Sequence, residues 1–112
     1  MTSYKQGDVI LVEFQFSEGS GSKKRPALIL STEAYHKTRQ EIIIAAITSN
    51  ITRELFGDTK IENWKEAGLL QTSLVTGIIR TIKSNLILRK LGSLPKKDFL
   101  EVQNSLKDIL GF

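Results

Sequence analysis

The chain has 112 residues, 40% of them hydrophobic, which fits one compact domain with its own core better than two domains joined by a linker. It carries 16 Lys and Arg against 12 Asp and Glu, and this net charge of +4 favours a polyanionic partner only weakly. The absence of cysteine excludes disulfides, thiolate metal sites and cysteine nucleophiles, and no apolar run approaches the roughly 18 residues of a membrane span. We therefore expect a single cytoplasmic domain over residues 1–112, without contact to a membrane, whose chemistry uses oxygen, nitrogen and charge.

The N-terminal half of the chain predicts a hairpin, a short helix and a buried strand. Residues Val9–Phe16 alternate apolar and polar side chains over their second half, as a half-buried strand does. The Gly- and Ser-rich segment Ser17–Arg25, which ends in three cations, predicts a long mobile hairpin tip before a strand at Pro26–Leu30. Residues 31–40 predict a short helix with hydroxyl residues at its start, and Glu41–Ile47 is a β-branched run typical of a central strand buried on both faces.

The C-terminal half predicts further short strands and a final helix. Residues 51–68 indicate a long loop with a short strand near Thr59–Glu62, and β composition returns in Gln71–Ile79 and Leu86–Lys90. After Pro95 the apolar side chains recur at helical spacing, namely Phe99, Val102, Leu106 and Ile109. The chain is therefore expected to be an α+β protein, in which a small, twisted or barrel-like sheet of five or six strands carries a C-terminal amphipathic helix.

Several conventional sites are missing from the sequence. His36 is the only histidine, and no grouping of His, Asp and Glu near it has the spacing of a metal site. There is no phosphate-binding P-loop, no dinucleotide fingerprint and no Gly-x-Ser-x-Gly elbow. We expect no metal and no cofactor, and we expect His36 to be a solvent-facing helix residue.

Two polar segments could carry chemistry. A basic run occupies Lys23–Pro26, and Thr48, Ser49 and Asn50 follow the buried strand. The start of one strand and the end of an antiparallel neighbour lie on the same rim of a sheet, so Arg25 and Thr48 could converge. An arginine fork matches a phosphate, and a threonine hydroxyl bonds a phosphate or sugar oxygen, which suits metal-free phosphodiester chemistry. The residues alone also allow a solvated basic loop beside a strand end, and that alternative stays open.

Five segments of the chain form an ordered series. They are Gln6–Val12, Lys24–Leu30, Ile43–Ser49, Arg80–Ile82 and Leu91–Gly92. In order and spacing this series resembles the MazF/PemK family of toxin endoribonucleases over nearly the whole chain. The resemblance implies an SH3-like twisted barrel of five to seven strands with a C-terminal helix. It also implies a homodimer and an acidic antitoxin partner that covers the RNA site.

The resemblance assigns roles to individual residues. Arg25 matches the family's catalytic arginine and Thr48 the threonine that works with it, whereas Arg80 and Thr81 match a strand-end pair of mainly structural role. The chain departs from the family where an acidic residue is common, because Gly77 stands there. A carboxylate at that position could act as a base or orient Arg25, and glycine can do neither.

The leading hypothesis is a sequence-selective, metal-independent endoribonuclease that cleaves single-stranded RNA by 2′-hydroxyl attack, as the toxin of a toxin–antitoxin pair. Arg25 and Thr48 are its predicted catalytic residues. Predicted RNA-binding residues are Lys23, Lys24, Ser49 and Asn50, and base stacking could use Phe16 or Tyr35. Two alternatives remain, a non-catalytic toxin fold that binds a protein target such as gyrase, and a barrel that binds RNA without cleaving it.

Overall fold

The computed structural model describes residues 4–15 and 22–112. In this part of the chain the strands are β1 (Asp8–Gln15), β2 (Ser22–Ile29), β3 (Glu41–Thr48), β4 (Thr59–Lys60), β5 (Leu74–Lys83) and β6 (Ile87–Ser93). The helices are α1 (Glu33–Thr38) and α2 (Lys96–Leu110), and a 3₁₀ turn, Ser84–Leu86, precedes β6. Neither of these α-helices is long and apolar enough to cross a membrane.

The six strands form one antiparallel sheet in the order β4-β5-β3-β2-β1-β6. Strand β3 lies between β5 and β2, and buried side chains occur on both of its faces. This arrangement confirms the predicted α+β fold, with a twisted, barrel-like sheet, a central β3 and a C-terminal helix. The sheet does not close, because β4 and β6 remain its edges in the described residues.

The two faces of the sheet bury separate apolar clusters. One cluster, which we term the aliphatic face, consists of Ile10, Val12, Ala27, Ile29, Ile42, Ile44 and Ile82. The opposite cluster, termed the helix-covered face, includes Val9, Leu28, Ala45, Ile47 and Val75, together with Val102 of α2. Phe99 and Leu106 of α2 pack against the helix-covered face, as their helical spacing predicted.

The second strand begins earlier than the sequence predicted. Lys23, Lys24 and Arg25 belong to β2, and the register with β1 sets Arg25 opposite Val12. The predicted loop position of these cations is therefore wrong, because pairing with β1 extends β2 to Ser22. Residues 16–21, which include most of the predicted hairpin tip and Phe16, lie outside the described residues.

Strand β5 is also longer than predicted. It runs without interruption from Leu74 to Lys83, so Arg80 lies inside a strand rather than after one.

The final helix begins after Pro95 and ends at Leu110, and Gly111 adopts a left-handed conformation with φ of 77°. Glycine is the residue that tolerates this conformation at a helix end. The predicted helix and its termination are confirmed.

Candidate active site

A cavity of about 230 Å³ lies where the aliphatic face reaches one end of the sheet. Because the strands are antiparallel, the ends of β1 and β3 and the starts of β2 and β5 meet at that end. The cavity is lined by Phe14, Arg25, Ala46, Ile47, Thr48, Thr76, Ile78 and Arg80. Its wall thus carries two guanidinium groups and two hydroxyl groups on an apolar background.

The register of β2 and β3 explains why Arg25 and Thr48 line the same cavity. Ala27 of β2 lies opposite Ala46 of β3. Side chains alternate between faces, so Arg25 shares the face of Ala27 and Thr48 shares the face of Ala46. The sequence-based convergence of Arg25 and Thr48 is therefore present in the fold, while their catalytic roles stay predictions.

Pro26 ends the pairing between these two strands. The N–H of Leu30 donates to the carbonyl of Ile43 at 2.8 Å. Every second residue along β2, including Pro26, therefore directs its backbone nitrogen and carbonyl toward β3. Proline has no N–H to donate, and the ladder stops at the pair Ala27 and Ala46. The gap beyond this pair leaves room for a cavity between the start of β2 and the end of β3.

The hydroxyl of Thr48 is oriented by the following turn. Its Oγ1 accepts a hydrogen bond from the backbone N–H of Asn50 at 3.1 Å. Because this contact uses only a lone pair, the hydroxyl proton remains available to donate to an anionic oxygen in the cavity. Asn50 itself is exposed, and its Oδ1 accepts hydrogen bonds from the backbone and the hydroxyl of Thr52.

A β-bulge in β5 shapes the opposite wall. Ala45 pairs with Ile79 and Ile47 with Val75, so two extra residues of β5 lie between these pairs. Thr76 bridges the bulge, because its Oγ1 donates to the carbonyl of Ala46 at 2.7 Å and accepts the N–H of Ile78 at 3.2 Å. The hydroxyl of Thr76 therefore holds the backbone of two cavity-lining strands together.

Gly77 lies in this bulge but faces away from the cavity. A Cβ at this position would lie 3.2 Å from Cδ1 of Ile109 in α2, on the opposite side of the sheet. Its N–H donates to Oδ1 of Asp58 at 3.2 Å, and Oδ2 of Asp58 accepts the N–H of Leu55. The expectation that an acidic side chain at Gly77 could reach Arg25 is thus wrong, because alternation along β5 places Gly77 on the α2 side together with Val75 and Ile79.

Arg80 and Phe14 are cavity residues that sequence reasoning did not place there. Arg80 shares a face with Thr76 and Ile78, and its guanidinium carbon lies 5.6 Å from the centroid of the Phe14 ring. The expected strand-end position of Arg80 is therefore wrong. The signal that could have found it is the β-branched composition through Arg80–Lys83, which extends the strand and its alternation.

The remaining predicted site residues lie outside this cavity. Lys23 and Lys24 are exposed on β2, and Ser49 lines a second, larger cavity on the other side of Arg25. Tyr35 lies on α1, where its ring packs against the guanidinium of Arg39, near the far end of β3 from Thr48. The structure thus gathers Arg25 and Thr48 and does not bring Lys23, Lys24, Asn50 or Tyr35 to the cavity.

His36 differs from its expected solvent-facing position. It is half-buried, and its Nε2 lies 2.6 Å from Oγ of Ser31. Oγ of Ser31 also accepts the N–H of Ile43, which fastens α1 to β3. Ser31 and His36 therefore have a structural role in this fold, remote from the cavity.

The chemistry available in the cavity is that of an anion-binding site. Two arginines supply positive charge and fork-shaped donors, and Thr48 supplies a hydroxyl donor, whereas the proton of Thr76 is already donated to Ala46. No carboxylate or imidazole belongs to the described lining. Across residues 4–15 and 22–112, no group of three His, Cys, Asp or Glu side chains could hold a metal ion. The site is suited to a phosphate group carried by a larger substrate.

The family of the protein follows from its sequence as a whole. The family model for the PemK-like, MazF-like toxin of type II toxin–antitoxin systems matches residues 5–110. Because this match covers nearly the whole chain, the protein belongs to that toxin family.

Individual relatives agree with this assignment. Endoribonuclease MazF of Staphylococcus saprophyticus is 29% identical over 109 residues, which cover 96% of this chain and 91% of that relative. The solved structure of Mycobacterium tuberculosis toxin MazF-mt6 matches with a TM-score of 0.77 and 21% identity, over 94% of this chain and 97% of the other. A crystal structure of MazE–MazF from Deinococcus radiodurans matches with a TM-score of 0.80 and 21% identity, over 97% of this chain and 96% of the other. At these identities the solved structures establish the fold.

Proposed function

We propose that this protein is the toxin of a type II toxin–antitoxin pair and acts as a sequence-selective endoribonuclease on single-stranded RNA. The observation that carries the proposal is the shared cavity of Arg25 and Thr48, the two residues that match the family's catalytic pair. Membership of the toxin family and the similarity to an endoribonuclease support the same activity.

The proposed reaction uses the nucleophile that RNA already contains. The 2′-oxygen attacks the adjacent phosphorus, a 2′,3′-cyclic phosphate forms, and the bond to the 5′-oxygen breaks to leave a 5′-hydroxyl end. Arg25 stabilises the charge of the crowded phosphorane, and the hydroxyl of Thr48 donates to a phosphate oxygen. Since no acid or base side chain belongs to the described lining, we assign the proton transfers to water at the open cavity.

Arg80 adds a second positive charge to this mechanism. Its guanidinium stacks on Phe14, which limits the orientations it can adopt while keeping it in the cavity. A pre-oriented charge stabilises a transition state without reorganisation at the moment of reaction. We therefore assign Arg80 to phosphate binding alongside Arg25.

The proposed partners follow from the family. An acidic antitoxin would cover a site that carries two arginines, and MazE–MazF structures are among the solved relatives. A homodimer is proposed by resemblance to the same family. An enzyme that cleaves messenger RNA has to reach it in the cytoplasm, which is the compartment we propose.

The test is incubation of the purified protein with a long unstructured RNA, with and without EDTA. Cleavage should survive EDTA, and the upstream product should end in a 2′,3′-cyclic phosphate or in the 3′-phosphate formed by its hydrolysis. A substrate with a single 2′-deoxy nucleotide 5′ of the cut should bind but remain intact, because the nucleophile is missing. Cleavage of this deoxy substrate at the same bond, or loss of activity in EDTA, would contradict the mechanism.

The same experiment decides between cleavage and binding alone. Intact RNA that nevertheless shifts to a complex would identify an RNA-binding protein without nuclease activity. A protein that neither cleaves nor binds RNA would favour a protein target such as gyrase. The family match and the cavity favour cleavage over both alternatives.

A further inference from the structure

A second cavity lies beside the candidate active site and has no assigned role. Its volume is about 480 Å³, roughly twice that of the first cavity. Arg25 and Ile47 line both cavities, so the two share a wall. Leu69 and Leu91, which belong to the helix-covered core, also line the second cavity, and this places it on the other side of the strand ends.

A second arginine, Arg89 of β6, also lines this cavity. Leu11 of β1 pairs with Pro26 on one side and with Arg89 on the other, so the three residues form a row across the sheet. Strands lie nearly 5 Å apart, which puts the backbone of Arg89 about 10 Å from that of Pro26. Arg89 therefore lies on the face of Leu11 and Leu91, while Arg25 belongs to the opposite face and lines the same cavity at the end of the strands.

The guanidinium groups of these two arginines are available for an anion. Within residues 4–15 and 22–112, no carboxylate forms an ion pair with Arg25 or Arg89. The neighbouring Lys90 differs, because its Nζ lies 3.3 Å from Oδ1 of the nearly buried Asp8. Of these adjacent residues of β6, Lys90 is therefore neutralised by a carboxylate, whereas Arg89 lines the cavity without an ion pair among the described residues.

The wall of the second cavity is mixed in character. Ser49, Gln71 and Ser73 provide polar atoms, and Leu11 and Leu91 provide an apolar surface beside Arg89. Single-stranded nucleic acid is held by this combination of positive charge along the backbone and apolar surface against bases or sugars. The continuity with Arg25 favours a second part of the same ligand over an unrelated one.

We propose that the second cavity binds the nucleotide adjacent to the scissile phosphate, with the guanidinium of Arg89 on its phosphate group. This inference rests on the proposed function, because it takes Arg25 as the residue at the cleaved bond. The base or sugar of that nucleotide packs against the wall of Leu11 and Leu91. Arg89 is then a substrate-binding residue that lies outside the reacting bond.

The experiment compares Arg89→Gln with Arg39→Gln, which removes the same charge. Arg39 is a suitable control because it lies near the far end of β3 and pairs with Glu41 at 3.2 Å. The cut site is first mapped on a long RNA with the unmodified protein. Oligonucleotides around that site then carry one neutral methylphosphonate at a time, and single-turnover cleavage is measured for each protein.

We expect Arg89→Gln to slow cleavage of the unmodified oligonucleotide about tenfold, as the loss of one charge-assisted contact predicts. At one position beside the cut, neutralising the phosphate should slow the parent and Arg39→Gln proteins but leave Arg89→Gln unaffected. For binding of an uncleavable 2′-deoxy oligonucleotide, the slope of log K against log salt should be shallower by about 0.7 in Arg89→Gln than in the parent. This is the value expected for one lost phosphate contact on a single strand.

Three results would overturn the inference while leaving the proposed nuclease intact. One is equal cleavage by Arg89→Gln and Arg39→Gln, and another is a methylphosphonate effect in Arg89→Gln that matches the parent at every position. A third is unchanged RNA binding with weakened binding of an oligoglutamate peptide, which would assign the cavity to an acidic protein segment. If the parent protein cleaves no RNA, the proposed function fails by itself, and the salt dependence of binding still decides whether Arg89 contacts a phosphate.

Discussion

Two halves of one sheet face have opposite characters. At one end the face is filled by isoleucines such as Ile10, Ile29 and Ile44, which are fully buried. At the other end the same strands present Arg25 and Thr48 to an open cavity. The change occurs within four residues along each strand, from Ile29 to Arg25 on β2 and from Ile44 to Thr48 on β3.

We term the end with the buried isoleucines the aliphatic half, and we expect it to contribute most of the folding stability while the cavity end carries the chemistry. Burial of an isoleucine side chain contributes roughly 1.5–3 kcal/mol to folding, whereas an exposed arginine typically contributes within about 0.5 kcal/mol. A fold stabilised by the aliphatic half can therefore keep unpaired cations at the other half. The following variants test this separation, from the largest expected effect to the smallest.

Arg25→Ala should reduce single-turnover cleavage of RNA by about 10³-fold or more, close to 4 kcal/mol of transition-state stabilisation. Its midpoint of thermal unfolding should stay within a few degrees of the parent, since the side chain is exposed on β2. The two measurements are the cleavage rate and a thermal melt. A parallel loss of fold and activity would make Arg25 structural.

Ile44→Ala is the counterpart in the aliphatic half. It should lower the free energy of unfolding by about 2–5 kcal/mol, because Ile44 is fully buried and its removal leaves a cavity. Urea unfolding measures the loss, and the cleavage rate per folded molecule should remain near that of the parent. A loss below about 1 kcal/mol would show that this half does not carry the stability.

Thr48→Ala should slow cleavage about 10²-fold by removing one oriented donor from the transition state. Thr48→Ser keeps the hydroxyl and should recover most of the rate, which a merely structural role of the methyl group would not produce. Single-turnover rates of the two variants measure the difference. Equal rates for Thr48→Ala and the parent would remove Thr48 from the site.

Arg80→Gln should slow cleavage about tenfold, while Arg80→Lys, which keeps the charge, should slow it less. The physical reason is the loss of a second cation that the Phe14 ring holds in the cavity. Rates at several ionic strengths measure the charge contribution, which salt should screen. A parental rate for Arg80→Gln would return this residue to the structural role that the sequence suggested.

Gly77→Glu should give no gain in cleavage. The side chain would enter the contact with Ile109 on the α2 side, and crowding there should lower the free energy of unfolding by about 1–3 kcal/mol. Single-turnover rates and urea unfolding of this variant are the measurements. A folded variant that cleaves faster than the parent would show that position 77 can reach the cavity after all.

Much of the architecture follows from local pattern. The β-branched run of β3 and the helical spacing of Phe99 to Ile109 predicted a central strand and a C-terminal helix, and both are confirmed. The limits of the strands were predicted less well where a strand begins with a run of polar residues. Lys23, Lys24 and Arg25 show no alternation, and only their pairing with β1 makes them a strand.

The sequence by itself determined the fold class, the family and the candidate pair Arg25 and Thr48, because these are properties of local periodicity and ordered motifs. The tertiary structure decided which other side chains join that pair. The register between β3 and β5 places Arg80 on the face of the cavity and Gly77 on the face of α2. Local alternation groups Arg80 with Thr76 and Ile78, but it does not say which face of the sheet this group occupies, since that depends on hydrogen bonds to a strand distant in the chain.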